Sequence, residues 1–135
     1  MSSSALLAMT GCGSGADLSA LPTYPENFQR TYFEAQNHFL KGDLNLAYTD
    51  FLSCLELEPE EAALRFDLAK IDLELERYES ALGHLDMACA IDKENRWYRE
   101  YRAKSALPLL EFDRALVDLI FVQEQRPGDL EWLLD

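Results

Sequence analysis

Residues 77–93 read Arg77-Tyr78-Glu79-Ser80-Ala81-Leu82-Gly83-His84-Leu85-Asp86-Met87-Ala88-Cys89-Ala90-Ile91-Asp92-Lys93. The same alternation of small and bulky residues returns 34 positions earlier and 34 positions later. Ala81 is matched by Ala47 and Ala115, Tyr78 by Leu44 and Phe112, and Leu85 by Phe51 and Leu119. Ala88 is matched by Cys54 and Val122, and Lys93 by Pro59 and Pro127. Upstream, Ala69 is matched by Ala35 and Ala103. Self-similarity at a fixed period marks a repeat protein, in which each copy is too small to bury its apolar face and stacking supplies the core.

Within each copy the apolar spacing is helical. Phe28, Tyr32, Ala35 and Phe39 recur at steps of three and four over 26–40, and Ala47, Phe51, Cys54 and Leu55 do so over 45–57. Lys41-Gly42-Asp43 interrupts the pattern, with glycine suited to the reversal, and Pro59 closes the unit. The second helix pair is predicted at about 62–75 and 79–91, and the third at about 96–107 and 113–125. Asn95 and Asp129 occupy equivalent positions between copies and read as N-caps. Glu60 and Glu61 stand where negative charge favours a helix N-terminus. Pro108 predicts an end or kink near Leu107.

Helix–turn–helix units of this length, with small residues at positions 8, 20 and 27 and proline near position 32, resemble the tetratricopeptide repeat (TPR) family. Counting from Phe28, Ala62 and Arg96 gives repeats 28–61, 62–95 and 96–129, with 130–135 (LEWLLD) starting a fourth repeat or a capping helix. The resemblance implies an all-α, right-handed superhelix of three repeats plus that C-terminal piece. The chain departs from the family at position 4, where Thr31, Arg65 and Arg99 replace the usual tryptophan, and at position 7, where Glu34 and Arg102 replace an apolar residue that Leu68 retains.

Residues 1–23 differ in composition, being rich in Ser, Ala, Gly and Leu. The run at 5–9 (ALLAM) followed by Thr10-Gly11-Cys12 resembles a bacterial lipoprotein signal, in which the cysteine after a small residue is lipidated. The resemblance makes Cys12 the lipidation site and 13–23 a Gly/Ser tether. No positively charged segment precedes the run, which places the start of the sequence inside a longer signal; a flexible leader with an incidental cysteine is the other reading. The whole is similar to envelope TPR lipoproteins of Bacteroidetes-type bacteria, which implies a lipid-anchored, periplasm-facing protein, or a cytoplasmic one if the leader is no signal.

The net charge of −13 repels phosphate backbones, and with no basic stripe to offset it nucleic acid is excluded as a partner. Hydrophobic residues at 48% exclude wholesale disorder. No stretch reaches the roughly 18 apolar residues of a membrane span. Cys54 and Cys89 fall on helical interiors and read as small buried hydrophobes. His38 and His84 lie in different repeats without metal-ligand spacing, His38 facing inward and His84 more exposed. No nucleophile elbow, phosphate loop or calcium-loop spacing is present, so neither enzyme chemistry, a metal nor a cofactor is expected. Glu74 and Glu76 read as a solvated helix face.

Function therefore rests on surfaces. In the TPR family the groove is lined by positions two, five, nine and twelve of each first helix. On this chain the first three columns are Gln29, Tyr32 and Gln36, then Ala63, Phe66 and Lys70, then Trp97, Glu100 and Lys104. Position twelve, more interior, holds Phe39, Leu73 and Leu107. Tyr32, Phe66 and Trp97 are the candidate anchors; Lys70 and Lys104, two of only four lysines, share one column and suit an acidic or C-terminal carboxylate ligand. The resemblance implies a non-enzymatic adaptor binding a protein or extended peptide. The alternative is a structural piece of a longer array that stacks or self-associates through its C-terminal end around Trp132.

Overall fold

The computed structural model describes residues 23–128 and Leu133; Cys12, Asp129 and Trp132 lie outside the described residues. Among the described residues six α-helices follow in order: α1 (Glu26–Lys41), α2 (Leu44–Leu57), α3 (Ala62–Glu74), α4 (Tyr78–Ile91), α5 (Arg96–Ala106) and α6 (Phe112–Gln125). Among the described residues there is no strand. Helices α1 and α2, α3 and α4, and α5 and α6 pack as hairpins. Each hairpin also packs on the next, α2 on α3 and α4 on α5, so the six helices form a linear stack.

The reversal inside each hairpin is one motif used three times. Gly42, Glu76 and Leu110 all have positive φ, at 84°, 56° and 62°. Each donates its amide to the carbonyl three residues back, and the next amide reaches five residues back: Asp43 to His38 at 2.9 Å, Arg77 to Asp72 at 2.7 Å and Glu111 to Ala106 at 3.1 Å. This pairing satisfies carbonyls that a helix end leaves open. Glycine adopts the conformation freely, whereas an L-residue pays about 1–2 kcal/mol, so Glu76 and Leu110 hold their turns at a cost that Gly42 does not.

Ala35, Ala47, Ala69, Ala81, Ala103 and Ala115 are all buried where helices approach. Small side chains there let neighbouring helices close, and bulky ones fill the remaining space. Phe28, Phe51, Leu64, Leu68 and Ile71 form the largest cluster, joining α1 and α2 to α3. Cys54 and Cys89 are free and buried, and burial pushes their thiols up to about 12 and about 11. α5 stops at Ala106, and Pro108 sits in a single 3-10 turn, Leu107–Leu109, where its missing amide costs little. Asn95 caps α5, its side-chain oxygen accepting from the amides of Trp97 at 3.0 Å and Tyr98 at 3.2 Å.

Glu61 stands at the α3 N-terminus, as its acidic run suggests, but its carboxylate is buried there and accepts the Tyr24 hydroxyl at 2.6 Å. Burial raises the Glu61 carboxyl above its ordinary range, with the Tyr24 hydrogen bond opposing. Tyr24 stacks on Phe28 and so closes the N-terminal end of the stack.

Polar side chains tie each hairpin at equivalent places. In the first, His38 Nδ1 meets Asp50 at 2.8 Å. In the second the partners are exchanged: Asp72 sits at the His38 place and His84 at the Asp50 place, 3.8 Å apart. His84 is therefore less exposed than the sequence suggests, its side chain only 14% accessible and its Nε2 2.9 Å from the Tyr48 hydroxyl. In the third hairpin Ala106 takes the His38 place, and Asp118 is held instead by Arg102, at 2.7 and 2.8 Å. Arg102 stands where the second repeat has Leu68, which is how the apolar departure at that position is absorbed.

Candidate functional site

A cleft of about 600 Å³ opens between α1, α3, the start of α4 and α5. Phe39, Leu73, Tyr78 and Tyr101 give it apolar walls; Lys70 and Lys104 project into it, and Glu74 and Glu76 stand at its edge. Helical spacing explains the convergence, because residues at positions nine and twelve of successive first helices lie on one face of the stack.

Each lysine is positioned by what lies behind it. Lys70 Nζ is 2.8 Å from Asp67, a carboxylate only 8% accessible, and rests 5.0 Å from the Phe66 ring centre and 5.5 Å from that of Phe39. Lys104 Nζ is 3.2 Å from Glu100, itself only 7% accessible, and 4.6 Å from the Tyr101 ring centre. Burial raises the Asp67 carboxyl above its ordinary range, and the Lys70 charge opposes that rise. The cations thus sit on aromatic faces over buried acids, an arrangement that fixes long side chains which would otherwise roam. A lysine ammonium carries three donors, so a carboxylate partner still permits it to receive a ligand oxygen.

The structure brings together Lys70 and Lys104 but not the rest of the sequence-derived lining. Tyr32 is a correction: it is 2% exposed, packed between Phe28 and Phe51, and its hydroxyl accepts from Gln36 at 2.8 Å. It is core, not an anchor. Glu100 is buried beneath Lys104 instead of facing a ligand. Phe66 is half-buried, its ring 4.9 Å from Tyr101 and 5.1 Å from Tyr98, so these interlocked aromatics seal α3 against α5. Position five is therefore mostly interior in this chain. Gln29 is exposed and donates to the Tyr24 carbonyl at 2.6 Å, outside the cleft wall. Trp97 is 49% exposed with the Arg96 guanidinium 4.1 Å from its ring centre, at the α5 N-terminus and also outside the cleft wall.

Tyr78, Tyr101, Glu74 and Glu76 are cleft residues that sequence reasoning missed. The signal was available in part: Phe39 and Leu73 occupy position twelve, and a bulky residue recurs at the Tyr78 place in every repeat. No metal-type grouping of His, Cys, Asp or Glu occurs among the described residues, and no helix among them is long and apolar enough to cross a membrane.

No protein-family model matches the chain, and no curated protein matches it in sequence. Solved structures do resemble it in fold. The first TPR of Spaghetti (RPAP3), bound to an HSP90 peptide SRMEEVD, superposes with a TM-score of 0.72 at 16% identity, covering 79% of this chain and 85% of that one. The Yersinia enterocolitica type III secretion chaperone SycD, in complex with a peptide of the translocator YopD, gives 0.71 at 17% identity over 82% and 85%. The TPR2B domain of yeast Sti1, in a complex with pHsp70, gives 0.68 at 18% identity over 74% and 80%. The fold of this chain is that of a TPR helical repeat.

Proposed function

We propose that the chain is a non-enzymatic TPR-type adaptor that holds an extended segment of another protein in the Phe39–Tyr101 cleft. The observation that carries this reading is the cleft itself, with apolar walls, two cations fixed over aromatic rings and no constellation for bond-making among its lining residues. Similarity in fold to domains solved with peptides supports it. The ligand chemistry that fits is an apolar side chain seated between Leu73 and Tyr101, with a main-chain carbonyl or a carboxylate reaching Lys70 and Lys104. Because Asp67 and Glu100 already compensate the lysines, and Glu74 and Glu76 add negative charge, apolar contact carries more of the affinity than charge does.

The second part of the reading is location: a lipid anchor on Cys12 tethers the adaptor to a bacterial envelope membrane. The sequence Met9-Thr10-Gly11-Cys12 with its Gly/Ser tether supports it. Stable anchoring needs more than one acyl chain, which mature lipoprotein processing would supply.

The test is co-purification from detergent-solubilised envelopes, followed by titration of folded variants against the captured partner. Tyr101→Ala should cost about 1–2 kcal/mol of affinity if that ring is an anchor. Lys70→Glu should weaken binding less. Undiminished binding by both variants removes the site from the cleft. Cys12→Ser should move the protein from membrane to soluble fractions behind an intact signal, and equal partitioning rejects the anchor.

A further inference from the structure

The cleft continues past its own walls. It shares Phe39 and Glu74 with an adjoining hollow of about 460 Å³ that Leu40, Lys41, Gly42 and Leu44 line at the first hairpin turn. On its other side it shares Glu76 and Tyr78 with a hollow of about 390 Å³ that reaches Ser80 and Leu109. The three form one trough along the edge of the stack, passing the turns of all three hairpins. Leu40, 81% exposed, gives it an apolar seat beyond the central cleft.

The charges along this trough are not balanced. Its central cations are compensated from behind: Lys70 by Asp67, Lys104 by Glu100, and Arg77 by the buried Asp72 at 2.8 Å, with the Arg77 guanidinium 4.8 Å from the Tyr48 ring centre. Glu74 and Glu76 are exposed and have no ion-pair partner among the described residues. Glu74 is moreover the last residue of α3, whose final turn holds no basic residue, so the helix end adds its own partial negative charge there. Glu79 differs, because it stands in the first turn of α4 and complements a positive helix end. Lys41, exposed at the first turn, is the one trough cation without an acid partner among the described residues. Two uncompensated carboxylates and a negative helix end thus outweigh it.

We propose that the occupant of this trough is an extended segment of a partner protein that carries lysine or arginine close to an apolar residue, its cations meeting Glu74 and Glu76. The inference rests on the cleft being the binding site and adds the sign of the charge that the site selects. Of the acceptors a segment can offer Lys70 and Lys104, the main-chain carbonyl fits, since both ammonium groups already face a carboxylate. In an extended segment alternate side chains share one face about 6.6 Å apart, so an apolar residue can enter the cleft while a basic one two positions away reaches its edge. Apolar contact supplies the affinity and the edge charges the selectivity. A second copy of this chain, at net charge −13, brings the wrong sign.

Panning a random-peptide library displayed on phage, each peptide joined to the coat protein through its C-terminus, against the full immobilised chain tests this. Peptides enriched on the wild type and lost on Tyr101→Ala should pair basic with apolar residues. The same selection on Glu74→Lys/Glu76→Lys should turn the preference acidic. Glu34→Lys/Glu56→Lys makes the same change of net charge at two exposed sites off the trough, and should keep the basic preference. For a resynthesised basic peptide, Glu74→Gln/Glu76→Gln should raise the dissociation constant about fivefold at low salt and less at about 0.15 M. This pair stands in if the lysine variant loses its helical signal, as Tyr78→Ala does for Tyr101→Ala. Tyr101-dependent peptides without basic residues, or a basic preference unmoved by reversal at Glu74 and Glu76, overturn the proposal and leave the cleft reading in place. Enrichment indifferent to the cleft variants, or no enrichment, removes the cleft reading and this inference with it.

Discussion

The N-terminal and C-terminal hairpins are built on one template and finished in opposite ways. At the N-terminal end Tyr24 folds over Phe28, hydrogen-bonds Glu61, and leaves α1 showing Arg30, Glu34 and Asn37 outward. At the C-terminal end α6 is left apolar outside, and the hairpin is held within by Asp118 gripped by Arg102 with Arg99 at 3.4 Å. A repeat array ends on polar outer faces, and of the two outer helices α1 carries the more polar face and α6 the more apolar one. Among the described residues no helix packs on the outer side of α6, and the third hairpin is tied internally by its charge cluster.

That contrast is most sharply broken at Arg102. The Asp118 side chain is 2% accessible, so removing its bidentate partner leaves a buried carboxylate with only the longer Arg99 contact at 3.4 Å. Arg102→Ala should cost about 3–5 kcal/mol in urea unfolding, and replacing Arg102 and Asp118 together by apolar residues should recover most of it. At the other end His38→Ala breaks a pair whose members are 32% and 25% accessible, and should cost no more than about 1 kcal/mol. Equal losses at both ends would mean that the two hairpins are held alike.

The N-terminal closure is sharpened by Tyr24→Phe, which keeps the ring stack and removes one hydroxyl. Glu61, 2% exposed, then loses its donor, at a cost of about 1–3 kcal/mol near neutral pH. The Glu61 carboxyl is already raised above 4.5 by burial. A raised carboxyl costs stability as pH climbs from the unfolded value through the folded one. Without the Tyr24 hydroxyl the folded value rises further, so the deficit should shrink as pH is lowered toward about 3, below the unfolded value, where the carboxyl is neutral in both states. A pH-independent deficit would show that the ring, not the hydrogen bond, was lost.

Much of this architecture was legible in the sequence, and the reason is physical. Burial against a neighbour at fixed spacing demands small residues at fixed spacing, so the alanine columns from Ala35 to Ala115 and the break at Pro108 follow from packing and backbone sterics alone. What escaped was direction. Tyr32 and Tyr101 are both aromatic on first helices, yet one is core and the other cleft wall, because rotation by a single position changes which neighbour a ring meets. The exchanged His38–Asp50 and Asp72–His84 pairs escaped as well, since periodicity compares like with like and a swap of partners hides from it. The left-handed turns at Glu76 and Leu110 were masked because only Gly42 advertises the conformation.

Those turns give a third contrast between the ends, with opposite signs. Gly42 has open space around the place a Cβ would occupy but a φ of 84°, so Gly42→Ala should destabilise by about 1 kcal/mol through backbone strain alone. Leu110, 71% exposed with φ 62°, should respond the other way: Leu110→Gly should stabilise by up to about 1 kcal/mol, the relief of strain being offset by the freer unfolded chain. Thermal unfolding of the two variants side by side checks the signs. Two destabilisations would mean that Leu110 contributes contacts its exposure does not suggest.

The smallest expected effect lies between the ends, at His84, where the first and third hairpins carry Asp50 and Asp118. Arg65 Nη1 is 3.3 Å from His84 Nδ1, so this nitrogen accepts, leaving Nε2–H to point toward the Tyr48 hydroxyl at 2.9 Å. The neutral ring fits this arrangement, and a proton on Nδ1 would face the guanidinium. Burial lowers the His84 pKa below 6.5, with Arg65 adding to the fall and Asp72 opposing it. A folded value below the unfolded one means that the unfolded chain binds more protons between the two. His84 therefore contributes nothing adverse above about pH 6.5 and destabilises progressively as pH falls through that window, the loss being complete below the folded value. Asp72 softens the loss but is already 2.8 Å from Arg77 Nε and 2.6 Å from the Ser80 hydroxyl, so it cannot turn wholly to the imidazolium. Urea midpoints at about pH 7.5 and about pH 5.5 should draw together in His84→Gln relative to wild type, because the variant has no proton to bind there. A wild type that instead gains stability on acidification, with the gain abolished by His84→Gln, would show that attraction to Asp72 outweighs burial and Arg65, and that the middle hairpin is tied by charge as the last one is.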